Sequence, residues 1–369
     1  MNDKAFATHL KKIVNKTKNY GEVDTDYFSW GRDSRHVVDN SEDILFNKAN
    51  RNPILKKITN FLSFHLRKNK SSLSFLENKF KKFLPTYNLL SDDYSKNLYC
   101  EILISRYFGE SKVELSSFTS DFINNYESAS ERLTTSTESL KVFKWILKKI
   151  SPNETNFQIY TAPEILNMIE SNRCYAYNNK GTSISVKSGD NVIDCGVGWG
   201  DTTMYLASLS SSKSGGKLFA FDILQDSFDA LDQQMLINPE VKNIEKVHKA
   251  VTDQDDRFFY TTDPSPGAKI VDYETKFKVS SIKIDTFVEK KGISIIDFIK
   301  MDIEGAERDA LKGAEKTIRK FKPKLAISIY HLKDDFIVIP ELINRIRDDY
   351  KFYLDCTTGF GGETILYCD

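Results

Sequence analysis

The chain has no C-x-x-C pair, and its five cysteines, Cys100, Cys174, Cys195, Cys356 and Cys368, are odd in number and scattered. This argues against a disulfide framework and against a cysteine zinc site, and fits a reducing, cytoplasmic setting. Neither sign of charge is in excess: 52 Lys and Arg balance 52 Asp and Glu, so no global field draws the chain to nucleic acid or to an anionic membrane. No stretch approaches the roughly 18 apolar residues of a membrane span, and Met1-Asn2-Asp3-Lys4 opens without the apolar run of a secretory leader. What is present, 40% hydrophobic residues over 369 positions, suffices for a packed core and for two domains or one domain with a large extension.

Residues 1–40 are polar and rich in Asn, Asp and Lys, and read as a segment that is partly disordered or packs on a neighbour. Over 41–150 the apolar residues fall at helical spacing, as in Leu98, Ile102, Leu103 and Phe108 after the cap signal Ser91-Asp92-Asp93. A mostly helical N-terminal domain is expected there, with no chemistry of its own and as the surface for any oligomer. Its lysines (Lys56, Lys57, Lys68, Lys70, Lys79, Lys81, Lys82) read as solvated helix faces in preference to a contact surface.

The character changes at Ser151-Pro152-Asn153, so residues 151–369 are expected to form a second domain. Short apolar runs alternate with helical stretches at 191–195, 217–222, 245–251, 296–302, 324–330, 350–356 and 363–368. The prediction is an α/β fold: a Rossmann-like seven-stranded sheet with helices on both faces and the last two strands as an antiparallel edge. An excursion over 257–290, with Pro264-Ser265-Pro266-Gly267, reads equally as a surface hairpin or as a substrate-facing lid.

The most informative run is Val192-Ile193-Asp194-Cys195-Gly196-Val197-Gly198-Trp199-Gly200-Asp201-Thr202-Thr203, a buried strand breaking into a glycine loop and restarting as a helix with Asp201 at a cap position. A dinucleotide fingerprint needs G-x-G-x-x-G; here the third glycine comes one place early and Asp201 stands where that glycine would be. An acid there would repel a diphosphate. A cationic, phosphate-free nucleoside such as S-adenosylmethionine would be accepted, with Asp194 attracting its amino-acid or sulfonium end.

In an open parallel sheet the ligand lies beyond the carboxyl ends of the strands. The second strand ends at Asp222, a candidate for the ribose hydroxyls, with a helix N-cap as the alternative. The third ends near Val251, where small groups would border adenine. In the fourth, Lys300, Asp302 and Glu304 alternate with period two and would share one face while the chain stays extended. Buried charges need partners, so Lys300 either neutralises Asp302 or Asp194 inside the fold or, as favoured, serves the active site. Glu307 reads as a first-turn dipole partner. The fifth strand ends at His331, whose imidazole suits a general base near neutral pH. Transfer to an alcohol needs alignment and removal of a proton; Asp302 or His331 would take that proton, with Lys300 orienting a carboxylate or stabilising an oxyanion. A metal is conceivable, since Asp302, Glu304 and His331 offer carboxylate oxygens and one imidazole, but nothing in the spacing requires one.

These strings, with Ile296-Asp297-Phe298-Ile299-Lys300-Met301-Asp302-Ile303-Glu304-Gly305-Ala306-Glu307, Lys324-Leu325-Ala326-Ile327-Ser328-Ile329-Tyr330-His331 and Glu363-Thr364-Ile365-Leu366-Tyr367, resemble the FkbM family of S-adenosylmethionine-dependent methyltransferases over roughly 188–368. The segment from Ser91 to Gly109 is similar to the helical leader of some longer members. The resemblance implies a class I methyltransferase fold and O-methylation, often of sugars or other hydroxylated natural products. From the loop and the strand ends, the expected cofactor contacts are Asp194, Gly196, Gly198, Trp199, Gly200, Asp201, Thr202, Asp222 and Val251, and chemistry is expected at Asp302, His331, Lys300 and Glu304. One departure is Asp222-Ile223 where many members carry Glu-Pro. The expected acceptor is a small molecule or glycan precursor, with a non-sugar natural product as an alternative. Competing readings are a cofactor-binding protein that chiefly docks a partner and, weakest, a nicotinamide oxidoreductase.

Overall fold

A computed structural model describes residues 3–17, 72–108, 113–153, 155–261, 270–271, 273–358 and 361–369. Lys56, Lys57, Lys68, Lys70 and the Pro264-Ser265-Pro266-Gly267 run, together with most of 1–40, lie outside the described residues. The chain divides into two compact units, one of residues 1–118, 329–341 and 351–365, the other of 119–328, 342–350 and 366–369.

The first unit carries helices α1 (Asp3–Lys16), α2 (Leu73–Phe80), α3 (Leu84–Leu89) and α4 (Asp93–Phe108). On α1 the buried residues Phe6, Ala7, Leu10, Ile13 and Val14 form one stripe at three and four spacing, which is what makes a short helix stable by packing. Ser72 caps α2 by accepting from Phe75 N (3.2 Å), and the Asp92 carboxylate accepts from Ser95 N (2.8 Å) at the start of α4. Leu98, Ile102 and Leu103 are buried as their spacing predicts. Ser91 and Ser95 then accept from the backbone N–H groups of Phe352 (3.0 Å) and Leu354 (2.9 Å), so α4 is tied to the late strand Phe352–Cys356 of the same unit.

The second unit begins earlier than the sequence suggests. After α5 (Ser120–Thr134) come β1 (Ser139–Val142) and β2 (Trp145–Ile150), where continued helix is expected, and β3 (Ile159–Thr161) completes a small antiparallel sheet. Phe143, in the left-handed region at φ 52, makes the turn between β1 and β2. There follow α6 (Pro163–Glu170), β4 (Tyr177–Asn179), β5 (Thr182–Ile184), β6 (Asn191–Cys195), α7 (Asp201–Ser210), β7 (Lys217–Asp222), α8 (Gln225–Leu236), β8 (Ile244–His248), β9 (Ala250–Val251), β10 (Phe258–Thr261), β11 (Ile270–Val271), β12 (Lys278–Ile282), α9 (Ile284–Lys290), β13 (Phe298–Met301), α10 (Glu307–Gly313), α11 (Glu315–Phe321) and β14 (Lys324–Ser328). The closing elements are α12 (Asp335–Ile346), β15 (Phe352–Cys356) and β16 (Thr364–Cys368).

The main sheet has seven strands in the order β15-β16-β14-β13-β6-β7-β8. The pairs β14–β13, β13–β6, β6–β7 and β7–β8 are parallel, and β6 and β13 are buried and, Asp194 and Lys300 apart, mostly apolar, as strands covered on both faces require. The chain runs outward from β6 through β7 to β8 on one side and from β13 to β14 on the other, so the order reverses between β6 and β13. That reversal opens a crevice beyond their carboxyl ends. The strand expected over 245–251 is split: Lys249 N bonds back to Val247 O (2.9 Å), turning β9 out of the main sheet to pair in parallel with β12. No helix among the described residues is long and apolar enough to cross a membrane.

Candidate active site at the glycine loop

The three glycines after β6 answer three different demands. A Cβ on Gly196 (φ 95) would collide with the carbonyl oxygen of Asp302, where the loop crosses the chain leaving β13. One on Gly200 (φ 77), the N-cap of α7, would lie 2.8 Å from Leu231 Cα on α8. A Cβ on Gly198 (φ 57) would meet nothing within 4 Å, so on that side the glycine faces open space. Two are glycine for packing and one leaves room.

Asp222, at the end of β7, braces the loop. Its Oδ2 accepts from Val197 N (2.8 Å) and Gly198 N (3.3 Å), and its Oδ1 from Leu224 N (2.8 Å). Burial raises its pKa and these backbone donors oppose that rise. Both carboxylate oxygens therefore hold backbone N–H groups, where the sequence offers Asp222 either the ribose hydroxyls or a cap at the following helix.

Beneath the loop the register pairs Lys300 with Asp194. The ammonium lies 2.9 Å from Asp194 Oδ1, both side chains being essentially inaccessible; Asp194 Oδ2 accepts from the Thr203 hydroxyl (2.6 Å). Lys300 also donates to the carbonyls of Cys195 (3.2 Å) and Gly196. Burial alone would lower its pKa, and Asp194 and then Asp302 more than reverse this, leaving it above the usual lysine value. Of the roles the sequence leaves open to Lys300, the structure shows the pairing with Asp194 inside the fold, because adjacent parallel strands place the two opposite one another. Asp194, expected to attract the cationic end of a ligand, spends its charge on Lys300.

Beyond β13 the chain does not stay extended. Glu304 sits at φ 56 and is exposed, so it leaves the face it was expected to share with Lys300 and Asp302. Asp302 remains at the crevice, half-buried, its N–H donating to Cys195 O (3.0 Å) and its Oδ2 accepting from the Tyr175 hydroxyl (2.7 Å). Glu307 opens α10 as expected, its carboxylate accepting from Ile303 N (2.8 Å).

Other expected contacts turn elsewhere. Asp201 is the first residue of α7, not its cap; it is buried against Thr161, whose hydroxyl donates to Oδ2 (2.7 Å), while Oδ1 accepts from Thr202 N (2.9 Å). Burial pushes its pKa up to about 6 against these hydrogen bonds. Trp199 packs on the hairpin, its ring 5.6 Å from that of Trp145. Thr202 is buried on α7, and Val251 lies in β9, outside the main sheet. His331 follows β14 by three residues, fully buried with its ring 4.2 Å from that of Tyr330, and belongs to the first unit.

Residues 174–354 match the Methyltransferase FkbM domain. The chain carries an FkbM methyltransferase domain. Among curated proteins none matches it. Of solved structures, it is similar to Methyltransferase FkbM from Methylobacillus flagellatus KT, at 20% identity over 80% of this chain and 60% of that one, with a TM-score of 0.49. It is also similar to an rRNA methylase from Streptococcus thermophilus (17% identity, 50% of this chain and 87% of that one, TM-score 0.33). A third is an Aeropyrum pernix fibrillarin with natively bound S-adenosyl-L-methionine (13%, 50% and 69%, TM-score 0.31). The chain spans 60% of the length of the Methylobacillus protein, and all three likenesses are too distant to transfer substrates or residue roles.

Sequence reasoning about this FkbM domain missed Tyr175 and Thr203. Thr203 was within reach, since it lies on the first turn of the helix after Asp194. Tyr175 carries no local signal: it sits between α6 and β4, far along the chain from the carboxylate it binds.

Proposed function

We propose that the chain transfers a methyl group from S-adenosylmethionine to a hydroxyl, with a sugar or glycan precursor as the acceptor class. The observation that carries this reading is Asp222 holding the N–H groups of Val197 and Gly198. In a dinucleotide-binding turn such N–H groups cradle a diphosphate; here they are spent on a carboxylate, which disfavours a phosphate-bearing carrier and with it the nicotinamide reading. The space at Gly198 fits a nucleoside approaching the backbone closely.

When bound, S-adenosylmethionine supplies an electrophilic methyl on its sulfonium. The chain's part is alignment and proton removal. Gly196 to Gly200 shape the cradle, Lys300 and Asp222 hold that shape, and Asp302 is the carboxylate at the crevice able to receive the acceptor's proton at an Oδ atom. His331, wholly buried, is the lesser candidate for that role. The buried, unbridged cysteines support a reducing, cytoplasmic setting. Methyl-labelled S-adenosylmethionine, incubated with the protein and an extract of cells lacking it, should label a glycan or glycan precursor. Asp302→Asn should lower labelling at least about 100-fold, the scale of a lost general base, with cofactor affinity within a few fold; wild-type labelling by the variant would remove Asp302 from the chemistry.

A further inference from the structure

Asp302 stands just past the last sheet-paired residue of β13, where the chain turns through Glu304 (φ 56) and Gly305 (φ 101). Its backbone is fixed by the bond from its N–H to Cys195 O (3.0 Å), but a half-exposed aspartate at a turn has rotamers to choose among. The Tyr175 hydroxyl favours one of them by donating to Oδ2 at 2.7 Å. Tyr175 is itself buried, and its backbone lies at φ 48, in the left-handed region that a bulky L residue rarely occupies. Such a conformation persists only where the surroundings over-determine it, and here they do: the Lys300 ammonium sits 4.9 Å from the ring centroid. The same ammonium binds Asp194 and the carbonyls of Cys195 and Gly196.

We infer that Tyr175 is a positioning residue, its ring seated on the lysine that holds the glycine loop and its hydroxyl aiming the Asp302 carboxylate into the crevice. The inference rests on the reading of Asp302 as the proton acceptor. It assigns the two ends of one side chain to two tasks: the ring registers the carboxylate to the cofactor loop, and the hydroxyl sets the rotamer and supports the charged form of Asp302 until an acceptor arrives. A residue acting through packing alone would need only the ring.

Tyr175→Phe separates the tasks, since it keeps the ring over Lys300 and deletes the donor. In the full chain, with aspartate carboxyls labelled with carbon-13, nuclear magnetic resonance should show the Asp302 titration midpoint rising by about one pH unit in Tyr175→Phe, because a donor to the carboxylate is lost while Lys300 stays. Calorimetry should find S-adenosylmethionine affinity unchanged within about threefold. Labelling of the extract should fall at least about tenfold, and Tyr175→Phe combined with Asp302→Asn should be no worse than Asp302→Asn alone, as expected of residues acting as one unit. An Asp302 midpoint that does not move overturns the inference whether or not the cofactor binds, as does an additive double variant. Failure of wild-type protein to bind S-adenosylmethionine would instead sink the methyl-transfer reading, with the Asp302 midpoint still reporting on Tyr175.

Discussion

Lys300 shows how a residue's role is set by what stands opposite it. Its ammonium is wholly buried, and such a charge is tolerated only with a partner of opposite sign and its remaining protons bonded. Lys300→Met should therefore cost about 3–5 kcal/mol of stability by leaving Asp194 buried and uncompensated, and adding Asp194→Leu should restore part of that loss. Urea unfolding checks this; a single variant within about 0.5 kcal/mol of wild type would contradict it. Asp201 makes the converse case. Its carboxyl titrates near pH 6 in the folded chain against an ordinary value of 3.8, so the native state holds the proton more tightly than the unfolded one. The stabilisation is complete below the unfolded value and is lost as pH rises through about 6. Asp201→Asn, which cannot ionise, should gain on wild type by about 2 kcal/mol between pH 4 and pH 7. Paired urea titrations would show this, and a constant difference across that range would refute it.

At the level of elements, the strand–loop–helix unit around Gly196 to Gly200 was legible from its residues, because apolar runs, glycines and an early helix carry local signals. Its wiring was not. Asp194, Lys300 and Asp222 were each visible as candidates, yet which one faces a ligand and which faces another side chain depends on register between strands about a hundred residues apart, which composition does not contain. The turn after Met301 escapes the pattern for a related reason: period-two alternation of Lys300, Asp302 and Glu304 predicts a shared face only while the backbone stays extended, and Glu304 at φ 56 ends that. The hairpin over β1 and β2 lies inside a stretch dominated by helical spacing, which masks it in the sequence. The glycines permit a sharp comparison. Gly198→Ala should fold with a loss of about 1–2 kcal/mol, the cost of an alanine in the left-handed region, and weaken cofactor binding; Gly196→Ala, whose methyl meets Asp302 backbone, should lose at least about 3 kcal/mol. Thermal melts with and without cofactor would test the pair, and equal losses would argue against the distinct roles of the two positions.

For the whole molecule, the strand order reverses between β6 and β13, the place where an open parallel sheet takes its ligands, and the glycine loop and Asp302 leave the sheet there. With 52 cationic and 52 acidic side chains the chain has no net field to gather a charged ligand, so selection must come from local geometry. The central claim is that the glycine loop, its N–H groups taken by Asp222, accepts a phosphate-free nucleoside and refuses a diphosphate. Isothermal titration of the purified chain with S-adenosylmethionine, its demethylated product and NAD tests this most directly. Saturable heats from the first two and none from NAD are predicted; heats from NAD alone would contradict the account.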